Sequence, residues 1–402
     1  MEIGMLYEFD APQPWAGEHP WGQRTMERQV YRENIEQIAL ADKMGFEAVW
    51  LVEHHFRENR SHMPCSEAVL GALSQVTERI KLGFGVVLMP HEFIHPVRVA
   101  EKVATVDVLS QGRVIWGMGR STPMEQQAFG VDIPRSKEKM LAAARSVVGM
   151  WEQEYYEEDS EFLTFPKRMV TPKPYQYPHP PAWMAASTES SATMAGENGC
   201  GLLVFSLLQP LDRLKEVIDV YREAQKRAVP LTKVHTNKVA AYTLVHCAES
   251  RDDFETNRLW DSMWWWYKGL AEFHLKWEMA HLSKEEQDRM FPLMSAQARG
   301  EFDITEFDRE DMVIVGTPDE CLAKLARYEE AGVDQLLCYL SFGYLPHDAV
   351  MKSIELLGTR VIPELKKRGS SAVAASLELG IRKVEEESIT QRHWARTPEK
   401  PI

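Results

Sequence analysis

The chain has 402 residues, 44% hydrophobic and 26% charged, which suffices for one large domain or two ordinary ones. Lys and Arg number 46 against 60 Asp and Glu, and the resulting formal net charge of -14 disfavours nucleic acid and anionic membranes as partners. No apolar run approaches the roughly 20 residues of a membrane span, the N-terminus does not resemble a signal peptide, and 5 scattered cysteines favour free thiols, so we expect a cytoplasmic protein.

Short apolar runs that alternate with helical patterns predict the architecture. The predicted strands lie at 3–7, 48–52, 81–87, 114–118, 182–186, 202–206, 238–246 and 335–340. Eight strands that alternate with helices are typical of a (β/α)8 TIM barrel, and polar residues that end several strands fit a site at one barrel face. A doubly wound open sheet is the competing fold, because the sequence does not specify strand order.

Two segments interrupt the alternation and predict insertions after strands four and seven. Residues 152–181 carry an acidic cluster and several prolines, which predict an inserted hairpin and loop. Residues 252–312 are rich in Trp and predict helices that line an apolar pocket or form a lid, with at least one ring of Trp264–Trp266 in the core. We therefore expect one barrel domain over 1–368 and a charged, partly disordered tail over 369–402.

The second strand ends in Glu53-His54-His55-Phe56, which places titratable groups where a barrel strand would open into a site. Neighbouring side chains in a strand point to opposite sides, so both histidines can face one pocket only if the strand has already ended. One histidine could then donate or accept a proton near neutral pH. From these residues alone, the alternative of a hydrogen-bonded pair at the barrel rim is favoured. No Cys or His nearby has zinc-type spacing, so we expect no metal site.

Polar motifs follow the fourth and fifth predicted strands. Gly117 to Thr122 lack the third glycine of a dinucleotide fingerprint, which argues against a Rossmann fold. An arginine such as Arg120 can hold a phosphate, and the hydroxyls of 187–191 can cap a helix or complete an anion site at its N-terminus. The two motifs either bind one phosphate together or form an ordinary turn and a helix cap.

Several longer motifs, taken in order, resemble the bacterial luciferase-like flavin monooxygenase superfamily over about residues 1–365. They are VEHHF, LGFGVVLMPHEFIHPVRVAEKVATVDVLSQGR, WGMGR, AWMAASTESSATMAGENGCGLL and GTPDECLAKLARYEEAGVDQLLCY. The resemblance implies a (β/α)8 barrel that binds FMN at its C-terminal face, reduced beforehand by a separate NAD(P)H-dependent flavin reductase. Reaction with O2 would give a C4a-hydroperoxide that oxygenates a hydrophobic or aromatic organic substrate.

The resemblance also assigns catalytic and phosphate-binding roles by position. His54 resembles the acid/base histidine beside the flavin, and His55 resembles a neighbour that supports the site or the substrate. Arg120 resembles the phosphate-binding arginine, while Ser187 and either Ser190 or Ser191 resemble the phosphate-binding hydroxyls. These residues would bind FMN at its phosphate and exchange protons at its ring.

The remaining candidates for cofactor binding lie under or beside the flavin ring. Gly85–Val86 fall where the family often has a non-proline cis peptide, and Glu53 precedes the two histidines. Gly119 stands where luciferase has a reactive cysteine, and Ala186 replaces a glutamate, so light emission is not expected. Ser121 stands where the family usually has glycine.

The resemblance leaves two alternative functions and one assembly open. A deazaflavin-dependent reductase or dehydrogenase would transfer hydride without O2, and a non-enzymatic protein would only bind flavin. Members of the family usually form homodimers, and we expect one here. The helix predicted at 96–109 has two apolar faces, so one can pack on the barrel and the other on a partner. One face has Ala100, Ala104 and Val108, and the other has Val99, Val103 and Val106.

Overall fold

Eight parallel strands form a closed barrel in the structure, a computed structural model that describes residues 1–207, 210–277, 279–280, 282–290, 294–296, 299–301 and 303–370. The barrel strands are β1 (Glu2–Tyr7), β2 (Ala48–Leu51), β3 (Lys81–Leu88), β4 (Val114–Gly119), β7 (Ala182–Ala186), β8 (Gly201–Phe205), β9 (Val239–Cys247) and β11 (Gln335–Tyr339). β1 pairs with both β2 and β11, and β8 pairs with β9, so the sheet closes on itself. The predicted TIM barrel is confirmed, and the open sheet is wrong.

Helices surround the barrel and cover its carboxyl end. They are α1 (Trp21–Met44), α2 (Ser66–Val76), α3 (Pro96–Leu109), α4 (Pro123–Ala128), α5 (Ser136–Glu152), α6 (Glu189–Glu197), α7 (Leu211–Gln225), α8 (Asp253–Thr256), α9 (Leu259–Trp277), α10 (Lys284–Met290), α11 (Glu306–Arg309), α12 (Pro318–Glu330), α13 (His347–Leu356) and α14 (Ile362–Ser370). A π-helical turn at Leu357–Val361 joins α13 to α14. None of the described helices is long and apolar enough to cross a bilayer.

Alternate residues of each strand supply two separate cores. Val49 and Leu51 pack outward against the helices, whereas Trp50 points into the barrel and meets Trp183 with ring centroids 5.5 Å apart. The indole nitrogen of Trp50 donates a hydrogen bond to Oε1 of Gln335 at 3.0 Å. Large side chains therefore fill the lower half of the barrel.

The upper half of the barrel is open, as the exposure of its inward-facing residues shows. Ala185 of β7 is exposed, and Phe205 of β8 and Tyr242 of β9 keep part of their surface exposed, although all three lie on central strands. The cavity they line opens at the carboxyl ends of the strands, where barrel enzymes carry their sites. We call this cavity the barrel mouth.

The inserted segments contain the predicted kinds of structure and one strand that the sequence did not reveal. β5 (Tyr156–Asp159) and β6 (Thr164–Arg168) form an antiparallel hairpin between α5 and β7. In α9, Trp266 is 1% exposed, so one ring of the Trp triplet does lie in the core. The strand missed from sequence is β10 (Ile314–Gly316), which pairs in parallel with β9 and is too short to give a pattern.

Helix α3 has apolar residues on both predicted faces, but most of the face expected to meet a partner is covered within this chain. Ala100 and Ala104 are fully buried within this chain, because α3 packs between α2 and α5 and Trp151 of α5 donates a hydrogen bond to the Ala100 carbonyl at 3.0 Å. Val108, at 44% exposure, is the part of that face left on the surface. The predicted tail at 369–402 lies almost wholly outside the described residues.

Candidate active site

The two histidines lie beyond the end of β2 and have different carboxylate partners. β2 ends at Leu51, so the chain is no longer extended at 54–55 and the side chains need not point apart. Nδ1 of His54 lies 3.1 Å from Oε1 of Glu125, and the same oxygen accepts a hydrogen bond from the His55 backbone N–H at 2.6 Å. The His54 ring keeps 19% of its surface exposed, whereas Glu125 is fully buried.

Glu125 is fixed by the loop that follows β4. Its Oε2 accepts hydrogen bonds from the hydroxyls of Ser121 and Thr122, both at 2.6 Å. Ser121 has a φ of +68°, so it follows the left-handed path on which glycine is common, while its hydroxyl holds Glu125. Burial acts to raise the pKa of Glu125, but the charge and hydrogen bond of His54 and the two hydroxyls hold this pKa well below its usual range.

His55 is supported by Glu53 rather than by Glu125. Nε2 of His55 lies 3.6 Å from Oε1 of Glu53. The other oxygen of Glu53 accepts from the Ser66 hydroxyl at 3.2 Å and lies 3.5 Å from Nζ of Lys102. Burial raises the pKa of Glu53, but His55, Lys102 and Ser66 outweigh it and lower the pKa overall. The carboxylate of Glu53 is therefore occupied within the protein, where it positions His55.

A surface without large side chains lies at the carboxyl ends of β3, β4 and β7. The peptide bond between Gly85 and Val86 is cis, as the family resemblance implied. A Cβ on Gly119 would lie 2.5 Å from Cγ2 of Val86 and 3.8 Å from Cβ of Ala185, so these residues adjoin one another. We call Gly85, Val86, Gly119 and Ala185 the platform, and a planar ring can approach it closely.

One cofactor-binding candidate faces the other way. The side chain of Ala186 is buried in the core between barrel and helices, whereas Ala185 faces the barrel mouth. Successive residues of a strand alternate between the two sides, so only one of the two methyl groups can face the barrel mouth. Ala186 can thus contribute only its backbone there, and the side-chain assignment moves to Ala185.

Two cations contact the first turns of two helices, α5 and α6. Nη1 of Arg120 donates to the Ser136 hydroxyl at 3.1 Å, and Nζ of Lys137 donates to the Ser190 hydroxyl at 3.1 Å. Within the described part of the chain, no carboxylate lies within 4.0 Å of the Arg120 guanidinium or the Lys137 ammonium group. We call Arg120, Lys137 and Ser190 the cationic corner, and its charge is available for an anion.

The serines around the start of α6 differ in exposure. Ser187 and Ser190 are exposed. Ser191 is buried, and its backbone N–H donates to the side chain of Thr188 at 3.2 Å, which caps α6. Of the two alternatives for the second hydroxyl, Ser190 therefore faces the cationic corner, and the N-terminus of α6 adds its dipole there.

The sequence prediction missed Glu125 and Lys137. A signal for Glu125 was present, because Thr122-Pro-Met-Glu125 is a capping box with Pro at the first helical position. Lys137 had no such signal, since its position depends on how α5 packs beside the loop before α6. In the described residues, no cluster of three His, Cys, Asp or Glu side chains could hold a metal ion.

The sequence matches the family model described as luciferase-like monooxygenase over residues 8–335. It is 27% identical over 345 residues to the oxygenase component of the flavin-dependent trigonelline monooxygenase of Acinetobacter baylyi, covering 84% of this chain and 90% of that protein. It is 23% identical over 334 residues to an F420-dependent glucose-6-phosphate dehydrogenase of Microbacterium testaceum, covering 82% and 92% of the two chains. The structure superposes on monooxygenase RslO1 of Streptomyces bottropensis with a TM-score of 0.69, 26% identity and coverage of 91% and 100%.

Proposed function

Because the chain belongs to the luciferase-like monooxygenase family, whose members are oxidoreductases, we propose that it is the oxygenase component of a two-component flavin-dependent monooxygenase. In this proposal it uses reduced FMN and O2 and acts on a hydrophobic or aromatic organic substrate. One oxygen atom enters the substrate, the other leaves as water, and FMN leaves oxidised. A separate NAD(P)H-dependent reductase supplies the reduced FMN through a transient encounter.

The observation that carries this proposal is the cationic corner beside the platform. A flavin mononucleotide has a planar ring and a terminal phosphate, and the barrel mouth offers a flat surface and two cations without described carboxylate partners. Arg120, Lys137, Ser187, Ser190 and the α6 N-terminus would hold the phosphate. The platform would receive the ring, since Gly119 leaves no room between itself and Val86 for any larger residue.

The chain's own contribution to the reaction is proton control and the exclusion of water. Reduced flavin supplies the two electrons that activate O2. Glu125 holds Nδ1 of His54 by accepting its hydrogen bond, which leaves Nε2 of the ring to exchange a proton with a ligand. The ring of Trp266 is buried in the barrel core and anchors α9, so this helix can limit the entry of water.

A deazaflavin-dependent dehydrogenase is the second candidate, and the relative from Microbacterium testaceum favours it. Its cofactor, F420, has a longer anionic tail than FMN, and the cationic corner contains two cations suited to one phosphate. Titration of the protein with FMN, riboflavin and F420 discriminates the candidates. We expect FMN to bind at least about tenfold more tightly than riboflavin, because only FMN has the phosphate. Preference for F420, followed by anaerobic hydride transfer, would establish the dehydrogenase.

A protein that binds FMN without catalysis is the third candidate, and His54→Ala addresses it. We expect this variant to lose oxygenation about a hundredfold while its affinity for FMN stays near normal. Wild-type protein that binds FMN but never couples O2 consumption to product formation with any aromatic compound would support the non-enzymatic role.

We also propose that the protein is a homodimer. Val76 at the end of α2 and Val108 and Leu109 at the end of α3 are large apolar side chains on the surface. These residues lie close together, since α2 and α3 pack side by side, and a symmetric contact would bury them. Light scattering at micromolar concentration should give the mass of a dimer, and the mass of a monomer would reject this assembly.

A further inference from the structure

A second polar cluster lies in the barrel mouth on the side away from the platform. Glu8 and Asp10 follow β1, and Arg60 belongs to the loop after β2. Tyr242 of β9 and Tyr339 of β11 complete the cluster. Burial lowers the pKa of Arg60, and these two side chains are among the groups near enough to raise it. All five come from strands or loops at the carboxyl end of the barrel. We call this cluster the Arg60 corner.

Arg60 is held in place at two points. Nη2 lies 3.3 Å from Oε2 of Glu8. The guanidinium carbon lies 3.8 Å from the ring centroid of Trp266, so α9 covers one face of the group. Next to it, the Tyr339 hydroxyl donates to Oδ2 of Asp10 at 2.9 Å. The guanidinium is therefore fixed in direction, which suits recognition more than a mobile surface charge would.

The Arg60 corner contains buried polar atoms that the protein does not satisfy. Arg60 is 7% exposed, yet its Nε and Nη1 have no hydrogen-bond partner in the described structure, and neither do Oδ1 of Asp10 and Oε2 of Glu8. An unpaired buried donor costs about 1–3 kcal/mol, more when it is charged, so such groups normally bind water or a ligand. Because a guanidinium has donors only, its missing partner must be an acceptor.

Asp10 does not hold a full negative charge beside Arg60. Burial and then Glu8 raise the pKa of Asp10 to about 7 against the opposing effects of Arg60 and Tyr339, so this carboxyl is partly protonated near neutral pH. With Asp10 protonated, the Arg60 guanidinium faces the single carboxylate of Glu8. The Nε and Nη1 donors of Arg60 then remain for an acceptor of the ligand, and a carboxylate accepts most strongly from a guanidinium.

Aromatic side chains connect the Arg60 corner to the platform. The barrel order places β8 and β9 between β7, which bears Ala185, and β11, which bears Tyr339. Phe205 of β8 and Tyr242 of β9 face inward and partly exposed there, with ring centroids 5.6 Å apart. A flat apolar ligand can therefore lie against these rings with one end at each site.

We propose that Arg60 binds the carboxylate of an aromatic acid substrate whose ring lies against Phe205 and Tyr242 and whose reacting carbon faces the platform. This inference rests on the proposed monooxygenase function and names the substrate class of the same barrel mouth. Arg60 is then a specificity-determining residue.

The test compares benzoate with benzamide, a neutral probe of nearly the same shape, on the FMN-loaded protein by calorimetric titration. We expect benzoate to bind at least about tenfold more tightly, because a charge-assisted hydrogen bond to a buried guanidinium is stronger than a neutral one. Arg60→Met should abolish this preference. Arg98→Met, which removes an exposed arginine of α3 that pairs with Glu101, should leave it unchanged.

Each outcome decides the inference. Equal binding of the two probes to wild-type protein, no binding of either, or a preference that survives Arg60→Met would overturn it. If Arg60→Met does not fold, Arg60→Lys keeps the charge and should retain a preference smaller than that of wild type. Normal FMN binding without a benzoate preference would reject the substrate class alone, whereas failure to bind FMN would reject the proposed function itself.

Discussion

Nδ1 of His54 lies 3.1 Å from Oε1 of Glu125, a fully buried carboxylate that also accepts hydrogen bonds from two hydroxyls. Since a carboxylate only accepts, the Nδ1 proton points towards Glu125, and Nε2 is the nitrogen left to face a ligand. The pair therefore joins the loop after β2 to α4, and the loop between β4 and α4 carries Arg120. This one contact orients the His54 ring and links its position to that of the cationic corner.

Glu125→Gln tests this relationship. The amide has the shape of the carboxylate but lacks its charge, so the protonated form of the imidazole loses its partner. We expect oxygenation to fall about tenfold or more and its pH profile to change shape, while the affinity for FMN stays within about twofold. The matched control is Ser121→Ala, which removes one hydrogen bond from the same carboxylate but no charge. Equal pH profiles for Glu125→Gln and wild type would show that the carboxylate only supports the loop.

Removing either cation of the cationic corner should weaken FMN without affecting riboflavin. For Arg120→Ala and Lys137→Ala we expect the dissociation constant of FMN to rise about tenfold or more, because a phosphate loses a charge-assisted bond. Arg135→Ala is the matched control, since this nearby arginine is already paired with Glu138 and Glu161. Equal losses for FMN and riboflavin would mean that the two cations do not bind a phosphate.

Gly119→Ala should disturb the platform. The added methyl group would lie 2.5 Å from Cγ2 of Val86, so the residue that follows the cis peptide has to move. We expect a loss of about 1–3 kcal/mol in the free energy of unfolding and at least about tenfold weaker FMN binding. Gly71→Ala is the control, because a Cβ at that helical position of α2 meets nothing within 4 Å. That variant should be slightly stabilised, and a similar gain for Gly119→Ala would refute the tight contact.

Asp10→Asn should change how stability depends on pH. The pKa of Asp10 rises from 3.8 to about 7 on folding, mainly through burial. Between these values the folded protein holds a proton that the unfolded chain has released, so this group destabilises the wild type progressively as pH rises through that range. We therefore expect Asp10→Asn to gain at least about 1 kcal/mol relative to wild type between acid and mildly alkaline pH. Chemical denaturation of both proteins at an acid and at a mildly alkaline pH measures this difference in the free energy of unfolding. A difference that is the same at both pH values would contradict the raised pKa.

The barrel could be predicted because each buried strand has its own apolar run and because polar residues begin where the strands end. AVWLV at 48–52 followed by Glu53-His54-His55 is an example, and β2 and the site beyond it lie at that place. The cis peptide at Gly85–Val86 was predictable only through the family resemblance, since no local pattern specifies it. Strand β10 was not predictable, because three residues give no period.

The site was predicted less completely, because contacts between loops depend on packing. His54, Arg120 and Ser190 were identified singly, but their partners Glu125, Ser136 and Lys137 come from other segments. Because side chains alternate along β7, only one of Ala185 and Ala186 can face the barrel mouth. Which of the two does so follows only from the strand as the structure places it. The face of α3 expected to meet a partner was assigned wrongly for the same reason, since α5 packs against it.

The most direct test of the proposed monooxygenase function starts from protein that is loaded with reduced FMN. This complex is mixed rapidly with oxygenated buffer, and the flavin absorbance is followed. The account predicts that oxidised FMN appears much more slowly than from free reduced FMN, after a species with a spectrum different from both forms, and that an aromatic acid substrate speeds its decay. Oxidised FMN that appears at the rate of free flavin, with or without aromatic acids, would contradict the account.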